Sequence, residues 1–314
     1  MSESEFQHAP VLHDEVMAYL NIKRDGVYVD ATYGRGGHAR SILEQIGEQG
    51  RLIVMDKDPA AIKAAQSALG SDPRVTILHD DYVDMHDRLC SLEMAQQIDG
   101  VLLDLGVSSP QLDDASRGFS FQQNGPLDMR MNPELGESAA VWLGRADEKE
   151  ISRVLWEYGE ERFSRRIARR IVETRQIQPI EDTATLSALI STCVPHKKNM
   201  KHPATRSFQA IRIHINQELE HITRLLESIF QILKIGGRVL VISFHSLEDR
   251  IVKRFFKSQS SRPKVPRGLP LRDAEMISTI RLNSVAKVIK AGIDEIERNP
   301  RARSAVLRVA ERVA

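Results

Sequence analysis

Short apolar segments separated by helical patterns dominate the first third of this 314-residue chain and restrict its fold more than any other feature. Uninterrupted apolar strands that alternate with helices are typical of a parallel sheet that is covered on both faces. Ligands of such sheets bind beyond the carboxyl ends of the strands, where Asp30, Asp56 and Asp104 fall. The four predicted strands comprise residues 27–30, 52–55, 75–78 and 101–103.

The alternation stops after the fourth strand and returns near the end of the chain. Between Pro110 and His214 no segment has the pattern of a buried strand. We therefore predict a sheet domain made of residues 1–110 and 215–314, interrupted by a mostly helical substrate-recognition subdomain at residues 111–214. The predicted helices comprise residues 39–46, 59–69, 148–158, 160–175, 183–193 and 249–256. A further helix has apolar residues from Leu219 to Leu233 and is expected to end at Gly236 and Gly237. The later predicted strands comprise residues 239–244 and 305–309.

Composition and charge exclude several classes of protein. The net charge of +1 gives no indication of a chain-wide nucleic-acid surface, so any basic surface must be local. Cys90 and Cys193 are far apart, and the histidines show no tight ligand spacing, so neither a disulfide framework nor a metal site is expected. The polar N-terminus lacks the apolar core of a signal peptide, and no apolar run approaches the roughly 18 residues of a membrane span. A cytoplasmic location is expected.

A glycine-rich turn joins the first predicted strand to the helix that follows it. Gly34, Gly36 and Gly37 allow backbone N–H groups to approach a ligand closely at the start of this helix. Asp56 ends the next strand, where a carboxylate can accept both ribose hydroxyls of a nucleoside. This combination fits NAD as well as S-adenosylmethionine, and the glycines alone also fit a structural turn.

Three features favour S-adenosylmethionine over NAD. The glycine loop departs from the dinucleotide pattern, because Gly36 and Gly37 are adjacent and the loop ends in Ala39. The segment at residues 233–238, before an apolar strand, resembles the entry to the fifth strand of class I methyltransferases. The fourth strand ends in Asp104, where an enzyme of this fold places its methyl acceptor; a cap or turn role for this aspartate remains the alternative.

The segment Ser108-Ser109-Pro110-Gln111 resembles the acceptor motif of amino methyltransferases, although Gln111 replaces the usual aromatic residue. An exocyclic amine on a base is a poor nucleophile because its lone pair is delocalised into the ring. Hydrogen-bond acceptors such as a serine oxygen or Asp104 would orient its nitrogen, and Pro110 would stiffen the loop. We predict catalytic roles for Asp104, Ser108, Ser109 and Pro110; the alternative is a turn that closes the strand.

With these residues in view, the chain resembles the bacterial 16S ribosomal RNA (cytosine-N4)-methyltransferase family over nearly its whole length. The resemblance implies a Rossmann-like class I methyltransferase sheet with an inserted helical subdomain, S-adenosylmethionine as cofactor, and methylation of the N4 amine of a cytidine in the decoding region. It also implies cofactor contacts at Gly36, Gly37, His38, Asp56, Tyr82, Asp104 and Gln111. The matching blocks comprise residues 31–38, 103–112, 117–121, 125–131, 202–206, 243–250 and 299–304.

Substrate contacts are predicted from aromatic and basic residues of the insertion. Phe119 is a candidate to stack on a base, with a core role as the alternative, and Lys198, Lys201 and Arg206 are candidates to contact phosphate. A second basic group lies on the predicted helix at residues 160–175, where the alternative is a solvated face. The expected partner is 16S rRNA or the small ribosomal subunit, with no membrane, and a homodimer is left open. Alternative functions are a DNA amino methyltransferase and a non-catalytic RNA-binding assembly factor; a nicotinamide dehydrogenase is a distant third.

Overall fold

The computed structural model describes residues 10–195, 202–261 and 280–314, and these divide into two compact units. Unit 1 contains the residues up to Gly106 and those from Leu219 onward, and unit 2 contains Val107–Glu218. Within the described residues of unit 1, an eight-stranded sheet has the order β3-β2-β1-β4-β5-β8-β6, with β7 also paired to β8. Its strands are β1 (Val27–Asp30), β2 (Arg51–Asp56), β3 (Val75–His79), β4 (Ile98–Asp104), β5 (Leu233–Ser243), β6 (Leu282–Ser284), β7 (Ile289–Lys290) and β8 (Val306–Arg312).

Strands β1 to β5 are parallel to their neighbours, as the apolar runs predicted. One side of the sheet is antiparallel, because β8 runs antiparallel to β5 and pairs with β6 and β7 in the same sense. The short strands β6 and β7 were not predicted, since segments of three and two residues carry too little periodicity. The α/β class and the Rossmann-like sheet are confirmed.

Alternate residues of the strands point to opposite faces of the sheet, and each face has its own core. Val29, Ile53 and Val101 belong to one buried cluster, whereas Tyr28 and Leu52 belong to the other. The helices of unit 1 are α1 (His13–Leu20), α2 (Gly37–Gln45), α3 (Pro59–Leu69), α4 (Met85–Ser91), α11 (Glu218–Ile232, which starts at the last residue of unit 2), α12 (Ser246–Ser260) and α13 (Ile293–Arg298). Helix α3 begins as predicted, because Asp58 Oδ1 accepts the Ala60 N–H and Pro59 is its first residue.

The described part of unit 2 is helical and has a separate core. Helix α7 (Glu148–Gly159) and helix α9 (Thr183–Cys193) agree with their predicted ranges because aspartates cap both: Asp147 accepts the Glu150 N–H, and Asp182 accepts the Thr185 N–H. The remaining helices are α5 (Ser109–Asp113), α6 (Ala139–Arg145), α8 (Ser164–Arg175) and α10 (Thr205–Ile215). Of these four, only α8 was predicted.

Three predicted helices have wrong boundaries. Helix α12 comprises Ser246–Ser260 rather than 249–256, because the capping box of His245 and Glu248 starts it earlier. Helix α8 begins at Ser164 rather than at residue 160, because Glu160 adopts a left-handed conformation with φ 49° and Glu161 Oε1 accepts the Phe163 N–H. Helix α11 ends at Ile232, before the glycines that were expected to end it. Gly236, with φ 81°, instead lies in an irregular stretch of β5 where the register against β4 shifts. Among the helices in the described ranges, none combines the length and apolar character needed to cross a bilayer.

Candidate active site

The glycine loop at the start of α2 is shaped by close contacts that exclude side chains. Gly34 and Gly36 have φ values of 55° and 72°, in the left-handed region that favours glycine. A Cβ atom at Gly36 would lie 2.4 Å from the ring of Tyr33, and one at Gly37 would lie 2.9 Å from Pro10 Cγ. These positions therefore admit no Cβ without displacement of Tyr33 or Pro10, which explains the need for glycine. Backbone N–H groups at a helix N-terminus are donors of the kind that bind a ligand.

Asp56 is held by the loop that it faces. Its Oδ2 accepts the Gly34 N–H at 2.8 Å, and its Oδ1 accepts the Asp58 N–H at 2.9 Å. Burial raises the pKa of this carboxyl group to about 6, although the two backbone hydrogen bonds oppose the shift. A carboxylate has about four acceptor positions, so each oxygen retains capacity for a ribose hydroxyl.

Asp30 and Asp104 end neighbouring strands and meet at Thr32. The Thr32 N–H donates to Asp30 Oδ1 at 3.2 Å, and the Asp104 N–H donates to Thr32 Oγ1 at 2.6 Å. Asp104 Oδ1 is buried and has no hydrogen-bond partner among the residues that the structure describes. Burial, together with the nearby charge of Asp30 and then of Glu248, raises the pKa of Asp104 to about 8. Burial also raises the pKa of Asp30 to about 7.

Tyr82 follows β3 in a 3-10 turn and is buried in the core of unit 1. Its ring meets that of His221 edge to face, with the centroids 6.4 Å apart. His221 Nδ1 lies 2.9 Å from Asp81 Oδ2, and Lys57 Nζ lies 2.9 Å from the same oxygen. Burial opposes ionisation of Asp81, but the hydrogen bond with His221 and the charge of Lys57 outweigh burial and lower its pKa. The contacts of His221 with Asp81 and with Tyr82 thus hold one side of the Tyr82 ring, which was predicted to contact the cofactor.

His38 is turned into the protein. Its Nε2 lies 3.2 Å from the Val11 carbonyl oxygen, and its ring stacks against that of His13 with the two ring centroids 6.3 Å apart. Burial, followed by the proximity of His13, lowers the pKa of His38 to about 4, so the ring is neutral at physiological pH. The imidazole therefore supports the loop, and a cofactor contact of His38 would involve its backbone N–H at the start of α2.

The predicted acceptor motif forms the first turn of α5 rather than a loop. Ser108 is its N-cap, Ser109 is its first residue and Pro110 lies in the first turn. Gln111 is buried, and its Oε1 accepts the Ser108 N–H at 2.8 Å in a capping box. The Gln111 carbonyl oxygen thus stabilises the start of this helix, while the predicted cofactor contact of its side chain remains a prediction.

The predicted substrate residues differ in their accessibility. Phe119 is only 6% exposed and packs in the core of unit 2, with the Arg117 guanidinium 5.7 Å from its ring centroid. Stacking of Phe119 on a base would therefore require a rearrangement of this core. Arg206 is exposed and donates to the Glu160 carbonyl oxygen at 3.1 Å. Lys198 and Lys201 lie outside the described residues.

The residues that follow β5 carried no predicted role. Glu248 is fully buried, its Oε2 accepts the Phe244 N–H at 2.8 Å, and its Oε1 lies 3.1 Å from His245 Nε2. A glutamate three residues after a helix N-cap is a sequence signal for a capping box, and it was present at His245 and Glu248. Its electrostatic effect on Asp104 depends on strand order, which no local pattern encodes.

Comparison with known proteins identifies the family. The model of the MraW methylase family matches residues 5–313. The chain belongs to this family. A relative from Thioalkalivibrio sulfidiphilus named "Ribosomal RNA small subunit methyltransferase H" is 56% identical over 318 residues, covering 98% of each chain. A relative of the same name from Pseudoalteromonas atlantica is 54% identical over 306 residues, also covering 98% of each chain.

The solved structures that resemble this chain are distant in sequence. An rRNA methylase from Streptococcus thermophilus has 10% identity and a TM-score of 0.40, and the match covers 96% of this chain and 94% of that one. Membership of the MraW methylase family confirms the predicted family, and S-adenosylmethionine is the cofactor of the chain. The glycine loop without room for a Cβ, the hydrogen-bonded Asp56 and the unpartnered Asp104 oxygen suit a cationic nucleoside.

Proposed function

We propose that this chain methylates the N4 amine of a specific cytidine in the decoding region of 16S ribosomal RNA. The single observation that carries the proposal is the half-buried carboxylate of Asp104 at the end of β4, whose Oδ1 is buried, followed four residues later in the chain by the capped start of α5 at Ser108. Hydrogen-bond acceptors so placed suit an exocyclic amine, because they hold its protons and leave the nitrogen lone pair for the methyl group. The names of the two relatives support small-subunit ribosomal RNA as the substrate.

The chain's own residues bind and orient the reactants. Gly36 and Gly37 present backbone N–H groups to the cofactor, and Asp56 accepts its ribose hydroxyls. Asp104 would accept a proton of the N4 amine and orient its nitrogen for attack on the methyl group at about 3–3.5 Å. The proposed role of Ser109 rests on the acceptor motif in the sequence. S-adenosylmethionine supplies an electrophilic methyl group, which passes directly to the nitrogen without a covalent enzyme intermediate. Since a stacked cytosine would be out of reach, the target base must be unstacked or flipped.

An exposed arginine face on unit 2 would position the RNA. Five arginines on and just before α8 are exposed, and the two ion pairs that they form with described residues are long: Arg169 lies 3.9 Å from Glu148, and Arg170 lies 3.6 Å from Glu173. Exposed pairs of this kind contribute little free energy, so the guanidinium groups remain open to phosphate. Phosphate contacts position RNA without specifying its sequence. The five arginines are Arg162, Arg165, Arg166, Arg169 and Arg170.

Nucleoside analysis of small-subunit RNA tests the proposal. Mass spectrometry of RNA from cells that lack this protein should show the loss of N4-methylcytidine, and the purified protein should restore it on isolated subunits. Unchanged N4-methylcytidine content would refute the proposal. Duplex DNA as substrate in the same transfer assay tests a DNA amino methyltransferase, and calorimetry with S-adenosylmethionine tests a non-catalytic RNA-binding factor, which would show no binding. Sedimentation of the protein tests the homodimer that the sequence leaves open.

A further inference from the structure

Three carboxyl groups lie at the carboxyl ends of β1, β4 and β5; two are buried, and the third, that of Asp104, is half-buried with a buried Oδ1. Asp30 and Asp104 end the first two strands, and Glu248 follows the third in the first turn of α12. Within the described parts of the chain, the charged groups that act on Asp104 are Asp30 and Glu248, both acidic. Asp56 acts on Asp30 in the same sense, and His245 adjoins Glu248. We call Asp30, Asp104 and Glu248 the carboxylate cluster.

The opposite end of β4 shows how this chain treats a carboxylate that stays ionised. Asp99 is as buried as a residue of the cluster, but Lys23 Nζ lies 3.0 Å and Lys234 Nζ lies 2.6 Å from its Oδ1. Burial alone would raise its pKa, but the hydrogen bonds from Lys234, the Val27 N–H and Lys23 outweigh burial and lower it. Neither Asp30 nor Asp104 has a lysine or arginine at ion-pair distance among the described residues. Strand β4 therefore has, near one end, an aspartate whose charge is balanced by two lysines. At its other end it has an aspartate without such an ion pair among the described residues.

Buried carboxylates close to one another do not all ionise, so such a group retains a proton near neutral pH. Burial and the neighbouring acidic groups raise the pKa of Asp104 to about 8, and burial raises that of Asp30 to about 7. A cationic ligand beside Asp104 changes this balance, because the ligand stabilises the ionised form and displaces the proton. The unpartnered Oδ1 of Asp104 is the atom on which such a charge would act.

We propose that the carboxylate cluster is the proton acceptor of the methyl transfer: it releases a proton when the cationic sulfonium binds and takes one from N4 when that charge disappears. This inference rests on the proposed function for the identity of the amine. In the transfer, the N4 lone pair forms the bond to the methyl carbon, and the pair of the broken C–S bond stays on sulfur. The methylated nitrogen, now cationic, gives one proton to Asp104. The sulfur product is a neutral thioether, so the carboxylate cluster again favours its protonated form. The cluster loses one proton to solvent when the cofactor binds and regains one from N4 during the transfer. The net result is the release of one proton per methyl group transferred.

Calorimetry without RNA tests the proton release. S-adenosylmethionine and S-adenosylhomocysteine, which differ by the methyl group and its charge, are titrated into the protein at pH 7 in two buffers of different ionisation enthalpy. We expect S-adenosylmethionine to release about one proton more per site than S-adenosylhomocysteine. Asp104→Asn should abolish this difference. The matched control Asp99→Asn should leave it unchanged, because Asp99 is already ionised. Equal proton release by the two ligands in the wild-type protein would overturn the proposal.

A second variant keeps the inference testable if Asp104→Asn fails to fold. Glu248→Gln removes an acidic neighbour of Asp104, so the pH at which the difference in proton release is greatest should move to a lower value. No movement in a folded Glu248→Gln protein would contradict the cluster. The outcome is distinguishable from failure of the proposed function, because proton release on cofactor binding is measured in the absence of any methyl acceptor. Cells that lack the protein could lose N4-methylcytidine while the two ligands release equal numbers of protons in calorimetry. That result would support the proposed function and refute the role of the carboxylate cluster as proton acceptor.

Discussion

Gly36→Ala tests whether the glycine loop must lack a side chain for the cofactor to bind. Gly36 has φ 72°, and a Cβ atom there would lie 2.4 Å from the buried ring of Tyr33. A non-glycine residue in the left-handed region costs about 1–2 kcal/mol. Displacing a packed ring adds about 1–3 kcal/mol, so we expect a loss of roughly 2–5 kcal/mol in the free energy of unfolding of unit 1.

Gly136 provides a matched control for this substitution. Its φ of 69° is nearly the same, but nothing lies within 4 Å of a Cβ atom built there. Gly136→Ala should therefore cost only the conformational part, about 1–2 kcal/mol. The difference between the two variants isolates the contact with Tyr33 from the backbone strain that both share.

The two units allow the effects to be separated by spectroscopy. The two tryptophans of the chain, Trp142 and Trp156, both lie in unit 2, and Trp142 is buried. Urea unfolding followed by tryptophan fluorescence should change for Gly136→Ala and stay near wild type for Gly36→Ala, whereas circular dichroism should report a loss for both. Calorimetry should show S-adenosylmethionine affinity at least about tenfold weaker for Gly36→Ala alone, equivalent to about 1.4 kcal/mol. A Gly36→Ala protein with wild-type affinity, and with no greater loss of stability than Gly136→Ala, would refute the reasoning.

Three further predictions concern carboxylates and the start of α5. Asp56→Asn should weaken S-adenosylmethionine binding by roughly 10- to 100-fold, since a hydrogen bond to a charged group contributes about 1.5–3 kcal/mol; calorimetry measures this, and an unchanged affinity would exclude the ribose contact. Replacement of Ser109 and Pro110 by alanine should lower turnover in a methyl-transfer assay while cofactor affinity stays nearly constant, and an equal loss of both would argue against the acceptor role. Asp104 has a folded-state pKa of about 8, above its usual 3.8, so the folded protein holds more protons than the unfolded chain between these values. The free energy of unfolding without cofactor should therefore fall as pH rises through this window, by at most about 1.4 kcal/mol per pH unit; Asp104→Asn should flatten the slope in urea titrations at several pH values, and an unchanged slope would contradict the assignment.

Local signals in the sequence predicted the elements that depend on neighbouring residues. Asp58 and Asp182 cap their helices with hydrogen bonds two or three residues away, so α3 and α9 begin where the residue types indicate. The strand ends at Asp30, Asp56 and Asp104 were also predictable, because an apolar run that stops at an acidic residue is a local pattern. The glycine loop was predictable for the same reason, because its three glycines lie close together in the sequence.

Features that depend on distant pairing were not predictable in this way. The β5–β8 register joins Ile242 to Leu307, far apart in sequence, and no periodicity encodes it. The proximity of Glu248 to Asp104 likewise follows from strand order and not from spacing. The role of Phe119 could not be predicted from its residue type, because an aromatic residue suits both a base-stacking surface and a core. Only its burial in the structure distinguishes the two roles.

The position of β8 has a consequence for the synthesis of this protein on the ribosome. Strand β8 (Val306–Arg312) lies inside the sheet, between β5 and β6, although it follows both of these strands in the sequence. Arg308 pairs with Asp249 at 2.6 Å and Glu311 with Arg238 at 2.9 Å, so the strand also closes ion pairs with residues made much earlier. While translation is under way, the edge of β5 lacks its neighbour, and an unpaired edge invites pairing with other chains. The sheet of a nascent chain is thus incomplete until β8 has been synthesised and has paired with β5.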